Sequence, residues 1–174
     1  MRIVSTAVLA VMDGAYRQTV KGVFVGNPAF LRLKDIDLDV SVKQDTVKVT
    51  VKSFRKRQKE ENKVKDIISA EEEGDQYEQL ATAEIVLKET SERNGIFEGR
   101  ITPVSGSDAE AGQISAAHDG KLEFTYIDRR HIKGDSPREV TAEVVVLTGG
   151  STEPKSIVSS IARWLVADSF TWPR

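Results

Sequence analysis

At 174 residues the chain is long enough for one core-bearing domain, or one domain with an appendage, and needs no disulfide or metal to fold. It has no cysteine, which excludes thiol catalysis, cysteine-based zinc sites and disulfide staples. A net charge of -2 excludes a nucleic-acid or anionic-membrane binder that works through overall charge. No run approaches the ~18 apolar residues of a membrane span.

Residues 2–12 read as a first strand, since Ile3, Val4, Thr6, Val8 and Val11 are β-branched. The competing reading is a short signal peptide led by Arg2. No small-x-small cleavage site precedes Asp13-Gly14, which favours the strand. Residues 22–25 and 29–34 flank the turn signal Gly26-Asn27-Pro28. Residues 46–54 alternate cleanly, with Val47, Val49 and Val51 on one face and Thr46, Lys48, Thr50 and Lys52 on the other. Further strands are predicted over 83–89 (Ala83, Ile85, Leu87 inward), 96–104, 121–128 (Leu122, Phe124, Tyr126) and 139–148, where Val140, Ala142, Val144 and Val146 share a face. Many short strands with few helical periods between them argue for an all-β, antiparallel β-sandwich.

Two segments depart from this pattern. Residues 55–79 are strongly charged and split by sign: Arg55, Lys56, Arg57, Lys59, Lys63 and Lys65 precede Asp66, Glu71, Glu72, Glu73, Asp75 and Glu78. They are expected to form a long, self-neutralising insertion; a polyanion-binding arm is the sharper alternative. Residues 149–174 open with Gly149-Gly150-Ser151-Thr152-Glu153-Pro154, a linker and helix start. Ile157, Ile161, Trp164 and Leu165 follow at helical spacing, which predicts a short C-terminal amphipathic α-helix. Its apolar stripe is expected to dock on the chain's own sheet or on a partner.

Five pieces then occur in order: Asp35-Ile36-Asp37-Leu38-Asp39, Asp45-Thr46-Val47-Lys48-Val49-Thr50-Val51, Val86-Leu87-Lys88-Glu89-Thr90, Asn94-Gly95-Ile96-Phe97-Glu98-Gly99 and Phe124-Thr125-Tyr126-Ile127-Asp128. Over roughly residues 3–148 the chain resembles the Ig-like β-sandwich repeats of very large secreted or surface proteins of environmental bacteria. Tyr16-Arg17, Val23-Phe24-Val25-Gly26 and Phe30-Leu31-Arg32-Leu33 fit the entry to such a module. Residues 55–79 are longer and more charged than the corresponding loop, Asn94 replaces the usual Thr, and the C-terminal helix matches nothing in the pattern. The resemblance implies an Ig-like domain over 1–148 and an extracellular or cell-surface setting. It also implies structural or adhesive work, in a chain that is a fragment or small relative of a longer one.

Candidate chemistry is sparse. Asp35, Asp37 and Asp39 lie at i, i+2 and i+4, which in extended backbone puts three carboxylates on one side, within reach of one calcium ion. Asp45 and Asp128 are the further oxygens such an ion would need; the bland reading is a solvated turn. Glu89 and Asn94-Gly95 read as turn chemistry rather than catalysis. The two histidines, His118 and His131, sit in no recognisable catalytic frame. The expected function is therefore non-enzymatic: a structural, assembly or adhesion module contacting a protein partner or neighbouring modules. Contact would run through sheet edges and the C-terminal helix, and a homo-oligomer is one form it would take. The alternative is a ligand-binding module, for carbohydrate or protein, that uses the sandwich loops. A third, weaker reading is an accessory domain of an enzyme.

Overall fold

Alternation of apolar and polar residues produces nine strands in this computed structural model, which describes residues 5–38, 41, 43–57, 76–132, 134 and 136–149. In chain order they are β1 (Val8–Met12), β2 (Gly22–Phe24), β3 (Ala29–Lys34), β4 (Thr46–Lys56), β5 (Tyr77–Glu89), β6 (Ile96–Val104), β7 (Gln113–Ser115), β8 (Lys121–Asp128) and β9 (Arg138–Leu147). A single 3-10 turn, Ile36–Leu38, follows β3. The protein is all-β among its described residues. The strands hydrogen-bond in the order β1-β3-β6-β5-β4-β8-β9-β2, with β7 added on β6.

This sheet is curled rather than flat. The inward residues of β3 (Ala29, Leu31, Leu33) and β6 (Phe97, Ile101) meet those of β4 (Val49, Val51), β8 (Leu122, Phe124, Tyr126) and β9 (Val144, Val146) in one core cluster. Burying an aliphatic or aromatic side chain contributes about 1.5–3 kcal/mol, so this shared interior is what holds the two halves face to face. Gly99 on β6 lies tight against the neighbouring β5: a Cβ there would lie 2.5 Å from Leu87 Cδ2.

The long strand β5 joins the halves. It pairs antiparallel with β4 from Tyr77 to Lys88, with a bulge opposite Ser53 and Phe54, and reaches β6 only at Lys88 and Glu89. At the ends of the strand order, β2 runs parallel to β9, matching Gly22 to Val145 and Phe24 to Leu147. The outer edge of β1 is partly covered by its own chain. The Val20 amide donates to the Val11 carbonyl and the Asp13 amide to the Gln18 carbonyl, both at 2.9 Å. Arg32 ties the connection to β3: its guanidinium meets Glu98 on β6 at 2.6 Å and lies 5.2 Å from the Tyr16 ring centroid.

Several expectations change. The first strand is described from Val8, residues 5–7 are not strand, and residues 2–4 of the expected strand lie outside the described residues. The predicted insertion is partly strand, because β4 runs to Lys56 and β5 starts at Tyr77, with Arg55 and Glu78 paired at 2.9 Å. Cross-strand opposite charges stabilise that extension, a contribution invisible to hydrophobic periodicity. The remainder of the insertion, residues 58–75, lies outside the described residues. So does the expected C-terminal helix with Ile157, Ile161, Trp164 and Leu165. Among the described residues no helix is long and apolar enough to cross a membrane.

Candidate functional site

The acidic run does not continue as a strand. After Lys34 the Asp35 amide donates to the Gly95 carbonyl at 2.8 Å, and the chain bends into the Ile36–Leu38 turn. Asp35 and Asp37 are therefore not successive residues of one extended face, and Asp39 lies outside the described residues. Nor is Asp35 solvated: it is 1% exposed. Its Oδ1 accepts the Ser5 hydroxyl at 3.1 Å and its Oδ2 accepts the Tyr126 hydroxyl at 2.9 Å. Ser5 in turn accepts the Ile36 amide at 3.0 Å, so the segment before β1 is pinned to the end of β3.

Asp128, at the end of β8, is fully buried in the same region. It accepts the Ala7 amide at Oδ2 and the Arg130 amide at Oδ1, each at 3.0 Å. Asp37 is half-buried, but its Oδ2 is shut off from solvent without a hydrogen-bond partner. Burial pushes its carboxyl up to about 7. A hydrogen bond shared with Asp35 and the charges of Asp35 and Asp128 add to the rise, while Arg130 opposes it. Tyr126 is raised too, by burial first and then by the Asp35 charge.

Both oxygens of Asp35 and both of Asp128 thus already hold a protein O–H or N–H. Among the described residues no three acidic or histidine side chains are grouped to hold a metal ion. Calcium of the kind expected from Asp35, Asp37 and Asp39 would need six to eight oxygens.

A second knot lies one residue away. Glu89, 1% exposed at the end of β5, accepts the amides of Asn94 and Gly95 at Oε1, both at 2.9 Å, and that of Asp45 at Oε2, at 3.1 Å. Burial alone would raise its carboxyl, but these three amide donors outweigh it and hold the group below the ordinary glutamate value. The Asn94-Gly95 turn signal has a steric basis as well. Gly95 has φ 62°, and a Cβ there would sit 2.7 Å from Ile36 Cα. Gly95 thus links the two knots, donating to Glu89 and accepting from Asp35.

Between β4 and β8 the strand pairing ends at Thr50 and Thr125, although β8 continues to Asp128. The strands part there and leave an open cleft of about 500 Å3, whose lining includes Asp37, Leu38, Val47, Tyr126, Asp128 and Arg130. Thr125 Oγ1 is buried at its floor without a hydrogen-bond partner. Lys48 and Glu84 pair at 2.7 Å on its rim. The cleft combines an apolar floor with charges of both signs, so it is suited to bind or to be covered.

His118 lies 3.3 Å from Asp119 and hydrogen-bonds Thr148, and His131 Nε2 meets the Ser136 carbonyl at 2.9 Å. The two stand in separate loops. Periodicity did not single out Ser5, and it placed Tyr126 on an inward face without its bond to Asp35. Tyr126 and Asp128 do share a face at i and i+2 with Phe124, which was the available signal.

No protein-family model matches the chain, and no curated protein sequence matches it. Among solved structures it is similar to Spo0M, the sporulation control protein of Bacillus subtilis, at 8% sequence identity and a TM-score of 0.36, over 84% of this chain and 51% of that one. The chain thus spans about half the length of that protein. At this level of likeness nothing about function transfers.

Proposed function

We propose that the chain is an Ig-like β-sandwich module with a structural, assembly or adhesive role in a secreted or cell-surface bacterial protein. The observation that carries the reading is strand order. In a constant-type Ig sandwich one sheet has the order A-B-E-D and the other C-F-G. Taking β1, β3, β4, β5, β6, β8 and β9 as A to G in chain order, the observed path gives β1-β3-β6-β5 followed by β4-β8-β9. β5 stays paired across the join, which makes one curled sheet where two separate layers would otherwise be counted.

The buried carboxylates fit this role as struts. Asp35, Asp128 and Glu89 fasten loop and terminal backbone to the ends of β3, β8 and β5, and none projects into solvent. The decisive experiment is labelling of intact and lysed cells of the source organism with antibody to the chain. Surface labelling, with the chain fractionating in a high-mass assembly, is the expected result. Labelling only after lysis overturns the surface assignment.

The cleft beside Asp37 and Tyr126 favours a second reading, a loop-end site for a carbohydrate or protein ligand. Protection of Tyr126 and Ile127 from hydrogen exchange by such a ligand separates it from the first. Calcium held by Asp35, Asp37 and Asp39 belongs to the same proposal, and unfolding in EDTA and in excess calcium tests it.

A further inference from the structure

We propose that the cleft between β4 and β8 is a binding site for an acidic saccharide, a hydroxylated ring that carries a carboxylate. This rests on the second reading, a loop-end ligand site, and names the ligand class that site would take.

The sheet itself makes the opening. β4 and β8 pair only as far as Thr50 and Thr125, while Thr46 to Val49 stay laddered to β5 and Tyr126 to Asp128 stay laddered to β9. The two strands converge to full pairing at the apex. The opening is therefore a short wedge, closed at one end, and no continuous extra strand can run through it. Its volume of about 500 Å3 suits a small molecule instead.

Two polar atoms in this wall lack partners. Asp37 Oδ2 and Thr125 Oγ1 are closed off from solvent and hydrogen-bonded to nothing among the described residues. Leaving such atoms unpaired costs stability, and a ligand hydroxyl could satisfy either one. Both residues are only half-buried, so a side-chain rotation brings either oxygen to the opening.

The charges select the ligand. Lys48 and Glu84 neutralise each other at 2.7 Å. Asp128 is fully buried with both oxygens on amides, and Asp37 shares a hydrogen bond, and so a proton, with Asp35. Arg129 and Arg130 remain. Both are exposed, and neither guanidinium has an ion-pair or hydrogen-bond partner among the described residues. A guanidinium fork holds a planar carboxylate through two N–H groups. Leu38, Val47 and Ile127 offer an apolar wall to the C–H face of a sugar ring. A fatty acid would leave Asp37 and Thr125 unpaired, and a cation would meet the two arginines.

Amide chemical shifts of the full chain, titrated with glucuronate, glucose, acetate and a tetraglutamate peptide, test this. Glucuronate should shift Thr125, Tyr126 and Arg130 with a Kd of about 1 mM, and glucose and acetate should each bind about tenfold more weakly or worse. Arg129→Gln with Arg130→Gln should bring glucuronate down to the level of glucose. Thr125→Val should weaken both sugars while the melting temperature holds or rises, because the hydroxyl it removes has no partner in the folded chain. A lowered melting temperature with binding unchanged would mark a structural hydroxyl and overturn the proposal. Glucose or acetate matching glucuronate overturns the acidic-sugar inference but leaves a ligand site standing. The same shifts from tetraglutamate alone overturn it in favour of a protein ligand. No shift with any of the four removes the binding reading as well.

Discussion

Glu89 and Asp37 are carboxylates a short distance apart in the same end of the molecule, yet their environments drive them in opposite directions. Glu89 is the more buried and is held below its ordinary value, because three backbone amides point at it. Asp37 is less buried and is yet raised to about 7, by the burial of its carboxyl first and then by a hydrogen bond shared with Asp35 and the charges of Asp35 and Asp128, with no donor set to offset them. Burial by itself does not decide the charge state of an acid; the donors and charges built around it do.

The comparison can be broken most forcefully at Glu89. Glu89→Gln replaces a charged acceptor of three amides by a group that must itself donate, and should cost about 3 kcal/mol or more, read as a drop in the urea midpoint. A loss below about 1 kcal/mol would show that the loop around Asn94 is held by other contacts. Gly95→Ala strikes both knots together. Its left-handed backbone and the approach to Ile36 Cα predict a loss of about 2–4 kcal/mol, with hydrogen-exchange protection lost at Asp35 as well as at Gly95. Tyr126→Phe removes one donor from Asp35 and should cost about 1–3 kcal/mol, leaving the Glu89 side untouched.

The smallest effect sharpens the contrast through pH. Asp37 is raised in the folded state, from 3.8 to about 7, so the folded protein holds a proton that the unfolded chain releases. Stability should therefore fall as pH rises through that window, the cost being complete above pH 7. Asp37→Asn should be more stable than the parent at pH 8 and match it at pH 4; equal stability at both would show that Asp37 is an ordinary solvated acid. Glu89 has the opposite sign. Its stabilisation is present above the ordinary glutamate range and is lost as pH falls through its lowered value.

Much of the fold was legible because strong alternation is decided locally. β3, β6 and β8 begin and end where predicted, each with an apolar inward row closed off by turn residues or charge. β5 was predicted six residues too short. Its first half is stabilised by pairing with β4, including Arg55 with Glu78, rather than by a pattern of its own. β7, three residues paired parallel to β6, gives no periodic signal at that length. The knots were half legible. Asn94-Gly95 declared a turn, but the fate of Asp35 depends on Ser5 and Tyr126, which lie 30 and 91 residues away in sequence. Spacing at i, i+2, i+4 suggested a strand, and a single hydrogen bond to the Gly95 carbonyl overrode it.

The parallel match of Gly22, Val23 and Phe24 to Val145, Val146 and Leu147 has a mechanical consequence. The chain enters β2 at one end of this ladder and leaves β9 at the other. Tension between those two points slides one strand along its neighbour and loads the evenly spaced ladder bonds in concert. The same bonds pulled from one end would open in succession under far less force.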